Sequence, residues 1–183
     1  MMITTDNPTV QAADYLYHSC IMQASLAQVE QAAVWYHEAQ EVAEDVAENL
    51  GVSLEIGASI VAAFSPRERW ASNVQKALAF SMGKPVSGLG NNLRMAQAAM
   101  TEGFDALNGQ KTNAFARAIA GDPDAVVIDV WMIRAAGLDA NKGVNKSEYN
   151  MLADAVRNIA SEHGLTPRTA QALIWIVKRG SHA

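Results

Sequence analysis

Lys111 and Asp129, 18 positions apart, are of residue types that can do nucleophilic and acid–base chemistry. Asp129 follows the apolar run Ala125-Val126-Val127-Ile128, where a helix is expected to begin. That position would hold its carboxylate rigidly and face it into a cleft. A fixed carboxylate can take a proton or stabilise a developing positive charge. A lysine amine can attack an electrophilic carbon and form a Schiff base. Trp131 and Arg134 follow closely, and Arg67, Trp70, Asn73 and Gln171 complete the candidate set.

Each of these has a plainer role as well. An aspartate before a helix caps it, and a lone lysine is a surface charge. Tryptophans are partly buried packing residues. Arg134 suits a helix-surface salt bridge, and Asn73 and Gln171 suit the satisfying of helix ends. Arg67 reads as lying in the first turn of a helix. The helix dipole disfavours a cation there, which points weakly to a ligand contact.

The elements that must position these residues are helical. Alanine is abundant, apolar residues recur at three and four, and strand-like alternation is missing. Residues 10–49 read as one long or two abutting helices, with Gly51 as C-cap. Residues 53–64 form a short apolar helix capped by Ser53. Ser65-Pro66 is expected to open the next helix, to about Met82. A loop over Gly83–Gly90 leads to a helix at 91–101. A short helix, a turn at Asn108-Gly109 and a second helix fill 104–120. After a turn at Gly121–Asp124, Ala125–Ile128 leads into a helix at 129–137, although its β-branched residues also allow a strand. Helices at 147–163 and from Thr166-Pro167 to near Gly180 close the chain. This is an irregular all-α domain of nine or ten helices.

Composition bounds the rest. The chain has 183 residues, with a formal charge of −5. That length buries a core without staples, and that charge excludes a blanket basic coat for nucleic acid. The single cysteine, Cys20, excludes a disulfide framework and a four-cysteine metal site. His18, His37, His163 and His182 are scattered without ligand spacing, so no metal site is expected. No apolar run reaches membrane-span length. The chain reads as cytoplasmic, with no membrane partner.

The stretch 107–138 carries a resemblance. Gln110-Lys111-Thr112, the 18-residue interval, Val127-Ile128-Asp129-Val130-Trp131, Arg134 and Gly137-Leu138 are similar to the core of the helix-hairpin-helix DNA glycosylase superfamily, which includes endonuclease III. Upstream, Ile60–Arg67, Asn73 and Lys76-Ala77 resemble the preceding family helices. Leu107-Asn108-Gly109-Gln110 makes a shortened, degenerate hairpin. Trp131 stands where the family has histidine, and the family's cysteine cluster is absent, so the resemblance implies no iron–sulfur cofactor. Ser65-Pro66-Arg67, Trp70, Phe115, Gly121-Asp122 and Gln171, Trp175, Arg179-Gly180 look like small glycosylase-like proteins of bacteriophages.

What the resemblance implies is a two-lobed, all-α glycosylase-like fold. Its core covers about 53–138, and the N- and C-terminal helices form the second lobe. Asp129 would stabilise positive charge on the sugar and orient a nucleophile, with Lys111 as its amine partner. Trp131 and Trp70 would receive a flipped base. Arg134 and Arg67 would reach phosphate, and Asn73 and Gln171 a base edge. The partner is DNA, no cofactor is implied, and a monomer is expected. The same resemblance admits a transferase that builds hypermodified thymine from an amine or amino acid. A non-catalytic DNA-binding module is the third reading.

Overall fold

The computed structural model describes residues 8–88 and 90–180. Among them are nine α-helices and no strand. They are α1 (Pro8–Gln23), α2 (Leu26–Leu50), α3 (Leu54–Ala63), α4 (Trp70–Ser81), α5 (Gly90–Glu102), α6 (Gln110–Ile119), α7 (Val130–Ala135), α8 (Lys146–Glu162) and α9 (Pro167–Arg179). A 3-10 turn, Gly103–Ala106, precedes α6. No single described helix is long and apolar enough to cross a membrane.

The chain divides into two compact units. A terminal unit holds the chain up to Trp35 and again from Val126; a central unit holds Tyr36–Ala125. The boundary therefore falls inside α2, and the run from Val126 groups with the terminal helices.

In the central unit α3 is the core helix. Every residue from Gly57 to Ala63 is buried, and a helix apolar all round must be covered on all sides. It packs on α5, α6 and the 3-10 turn. Ser53 caps it, accepting from the Ile56 amide at 3.4 Å. Gly57 is needed because a Cβ there would run into the Ala43 carbonyl oxygen of α2. Phe64 closes the helix against Phe80, ring to ring at 5.8 Å.

The terminal unit packs α1, α7, α8 and α9 around Tyr17, Ile128, Met132, Leu152, Val156 and Ile174. Burying a side chain of this size contributes about 1.5–3 kcal/mol. Asn145 and Glu148 form a reciprocal capping box at the start of α8, with bonds of 3.0 and 2.8 Å. Thr166 caps α9 through the Thr169 amide, with Pro167 as its first residue.

Two expectations are corrected. Ser65-Pro66 does not open a helix, because α4 starts only at Trp70. Asn92, from α5, donates to the carbonyls of Phe64 at 3.5 Å and Pro66 at 3.1 Å and holds that segment as a turn. Arg67 lies in the turn with φ +62°, the left-handed region, among the described residues the one non-glycine there. The dipole argument for Arg67 therefore falls. The run Ala125–Ile128 is buried and forms neither helix nor strand.

Candidate functional site

In the terminal unit the site is built from an anchored segment without regular secondary structure. Tyr149 of α8 reaches it with one hydroxyl. That oxygen accepts from the Ile128 amide at 3.2 Å and donates to the Val126 carbonyl at 3.0 Å. Two buried backbone groups that lack a ladder are thereby satisfied. Tyr17 of α1 donates to the Met132 carbonyl at 3.0 Å and ties down the next turn. Burial, followed by the charge of Asp129, pushes the Tyr17 hydroxyl far above the ordinary phenol range. Burial is also the leading cause for Tyr149, whose hydroxyl is raised. Both stay protonated as donors.

Asp129 stands between these anchors, half-buried, as the N-cap of α7. Its Oδ1 accepts from the amides of Trp131 at 2.9 Å and Met132 at 3.0 Å. Its Oδ2 accepts from the Trp175 indole Nε1 at 2.9 Å. The capping role is thus real. The third bond comes from α9, 46 residues away, and goes beyond what a cap needs. Three N–H groups fix the carboxylate in position and orientation.

Around it lies an aromatic and cationic cluster. The Arg134 guanidinium stacks over Trp131 at 4.7 Å, and that of Arg179 over Trp175 at 4.6 Å. Arg134 is exposed and makes no salt bridge among the described residues. Trp35 meets Trp175 at 5.9 Å between ring centroids. Gln171 lies one turn before Trp175 on α9 and is 4% exposed, so it is a core residue of that helix.

In the central unit, Lys111 lies on the first turn of α6, half-buried, with Nζ 6.0 Å from the Phe115 ring centroid. Trp70 meets the same ring edge-on at 6.3 Å, and Tyr36 meets it at 6.5 Å. Phe115 therefore joins Trp70 to Lys111. Gly109, with φ +87°, precedes α6 and supplies no side chain to cap it. Asn73 is 1% exposed, and neither atom of its amide has a hydrogen-bond partner. It satisfies no helix end. Arg67 is exposed in its turn.

Sequence reasoning passed over Trp175, Tyr149, Tyr17 and Phe115 as functional positions. Gln171, Trp175 and Arg179 recur at four on α9, which marks one helix face. Nothing local ties that face to Asp129. Among the described residues no three histidine, cysteine or acidic side chains converge as metal ligands.

Residues 3–182 match the profile of a family of unknown function, DUF7178, and the chain belongs to that family. No curated protein and no solved structure matches it.

Proposed function

We propose that this chain acts on a base in DNA as a base glycosylase, with Asp129 as the central carboxylate. The observation that carries this reading is the clamp on Asp129. Two α7 amides and the Trp175 indole hold a half-buried carboxylate, and the rings of Trp131 and Trp175 carry the guanidinium groups of Arg134 and Arg179. Breaking a base–sugar bond places positive charge on the sugar. A preorganised carboxylate stabilises that charge without having to reorganise during the reaction. Trp131, with Arg134 on its face, offers a surface on which a flipped base can stack. The resemblance of residues 107–138 to helix-hairpin-helix glycosylases supports the same assignment.

Lys111 is the nucleophile of the lyase form of this reaction: its amine attacks C1′, the base leaves with the electrons of the base–sugar bond, the amine gives up its proton, and the C1′–O4′ bond opens to leave a Schiff base. Gly109 and the uncapped start of α6 suit backbone contact with a phosphate. Arg67 and Trp70 are proposed DNA contacts. The buried Asn73 and Gln171 support the surrounding helices instead.

The test is nucleoside mass analysis of duplex DNA incubated with wild type or with Asp129→Asn. The panel holds uracil, oxidised, alkylated and 5-substituted thymine bases, each with and without glycine or a polyamine. Free base from the wild type alone supports the glycosylase. A heavier thymidine that needs the amine replaces it with the transferase reading. No change in any lane leaves the non-catalytic binding module. Borohydride trapping on abasic DNA, lost in Lys111→Ala, tests the lyase form.

A further inference from the structure

His18 and His163 are 145 positions apart in the sequence, yet the packing of α1 against α8 brings their rings together. His18 Nδ1 and His163 Nε2 are 3.2 Å apart, with ring centroids at 5.0 Å and planes at 43°. Neither ring takes part in the clamp on Asp129.

Two carboxylates share this seam. Asp14 lies one turn before His18 on α1, and Glu162 is adjacent to His163. Asp14 Oδ1 is buried with no hydrogen-bond partner. Neither carboxylate closes an ion pair with a lysine or arginine among the described residues.

A hydrogen bond between the imidazoles would account for the 3.2 Å contact alone. It leaves the unpartnered Asp14 oxygen, one turn away on α1, without a reason. A cation held between the two nitrogens accounts for their separation and gives that oxygen a partner within one helix turn. Two nitrogens bound tetrahedrally to zinc at about 2.0–2.1 Å sit roughly 3.3 Å from one another. The observed separation is 3.2 Å.

We propose that His18 Nδ1 and His163 Nε2 form a site for a divalent transition metal of the zinc type. Two imidazoles with carboxylate support suit zinc, whereas calcium and magnesium ask for oxygen alone. No third ligand already stands in place. Asp14 supplies it by a change of rotamer, since positions four apart share one helix face, and water takes the fourth position. His18 is exposed, which gives the ion a path from solvent. The bound ion ties α1 to α8 within the terminal unit. The site is independent of the DNA reading.

The test is calorimetric titration of the metal-stripped full chain with zinc chloride near neutral pH. One zinc per chain is expected. His18→Gln and His163→Gln should each weaken binding by about tenfold or more. His37→Gln, on the exposed face of α2, should leave it unchanged. Added acid should weaken binding, because a protonated imidazole cannot ligate. Zinc should raise the melting temperature only where both histidines are present. Cobalt(II) in place of zinc reads the site without a variant, through the visible bands of a four-coordinate ion. The aqueous cobalt spectrum, no heat above dilution, or wild-type affinity in His18→Gln would overturn the proposal. Unchanged affinity in Asp14→Asn would remove Asp14 from the ligand set.

Discussion

Replacing Tyr149 by phenylalanine removes one oxygen and should cost far more than one hydrogen bond. The hydroxyl accepts from the Ile128 amide and donates to the Val126 carbonyl. Both residues are buried, at 3% and 2% exposure. Without the oxygen, an amide and a carbonyl are left in the core with no other partner among the described residues. Each such group costs about 1–3 kcal/mol, so Tyr149→Phe should lose roughly 2–6 kcal/mol in all. For a chain of this size that is a fall in melting temperature on the order of 5–15 °C. Tyr17→Phe is the internal control. It also removes one buried hydroxyl, but its acceptor, the Met132 carbonyl, keeps the helical bond from the Ala136 amide at 3.0 Å. About 1 kcal/mol is expected there. Urea denaturation of the two variants measures the difference. Hydrogen exchange at the Ile128 amide localises it, because that amide should lose protection in Tyr149→Phe alone. Equal losses in the two variants, or a protected Ile128 amide in Tyr149→Phe, would refute the argument.

Four further outcomes follow from named contacts. Asp129→Asn keeps an oxygen for the α7 amides but cannot also accept from Trp175. It should fold normally at a cost of about 1 kcal/mol in a thermal melt, while Asp129→Ala, which loses the cap and orphans the indole, should cost roughly 2–4 kcal/mol. Gly57→Ala drives a methyl into the Ala43 carbonyl and should cost about 1–3 kcal/mol or more. Gly51→Ala meets no atom and should lose only the roughly 1–2 kcal/mol of left-handed strain. Asp14, whose folded-state carboxyl is raised above 3.8 by burial and then by Glu162, binds its proton more tightly when folded. Its contribution is therefore lost as pH rises through the raised value. Without metal, Asp14→Asn should raise the melting temperature at pH 7, with the gain vanishing below the ordinary aspartate range. Burial pushes the Cys20 thiol up, partly offset by Lys178, so it should alkylate more slowly than free cysteine at mildly alkaline pH until the protein is unfolded.

What could be read from sequence was the chemistry that acts over a few residues. Ser53, Gly51, Thr166-Pro167 and Gly164 mark helix ends because caps and left-handed stops depend on the adjacent backbone. The same local logic failed at Ser65-Pro66. Asn92, 26 residues beyond Pro66, captured the carbonyls of that segment and made it a turn. The site divides in the same way. Asp129 was legible as a helix N-cap, from an apolar run meeting a helix start, and its bonds to Trp131 and Met132 are local. Its bond to Trp175 spans 46 residues, that of Tyr149 to Ile128 spans 21, and the histidine pair spans 145. Such partners are set by which helices pack together, and helical periodicity carries no address for that. Arg134 read equally as a phosphate contact or a surface salt bridge; what its own residue type did not show is the stack on the ring of Trp131, three residues earlier.

The most direct test of the central claim is the release of free base from DNA by wild type and by Asp129→Asn at equal fold content. The account predicts release by the wild type and a rate lower by about 10²–10⁴-fold in the variant. Equal release by both proteins, or none by the wild type across the whole panel of bases, would contradict it.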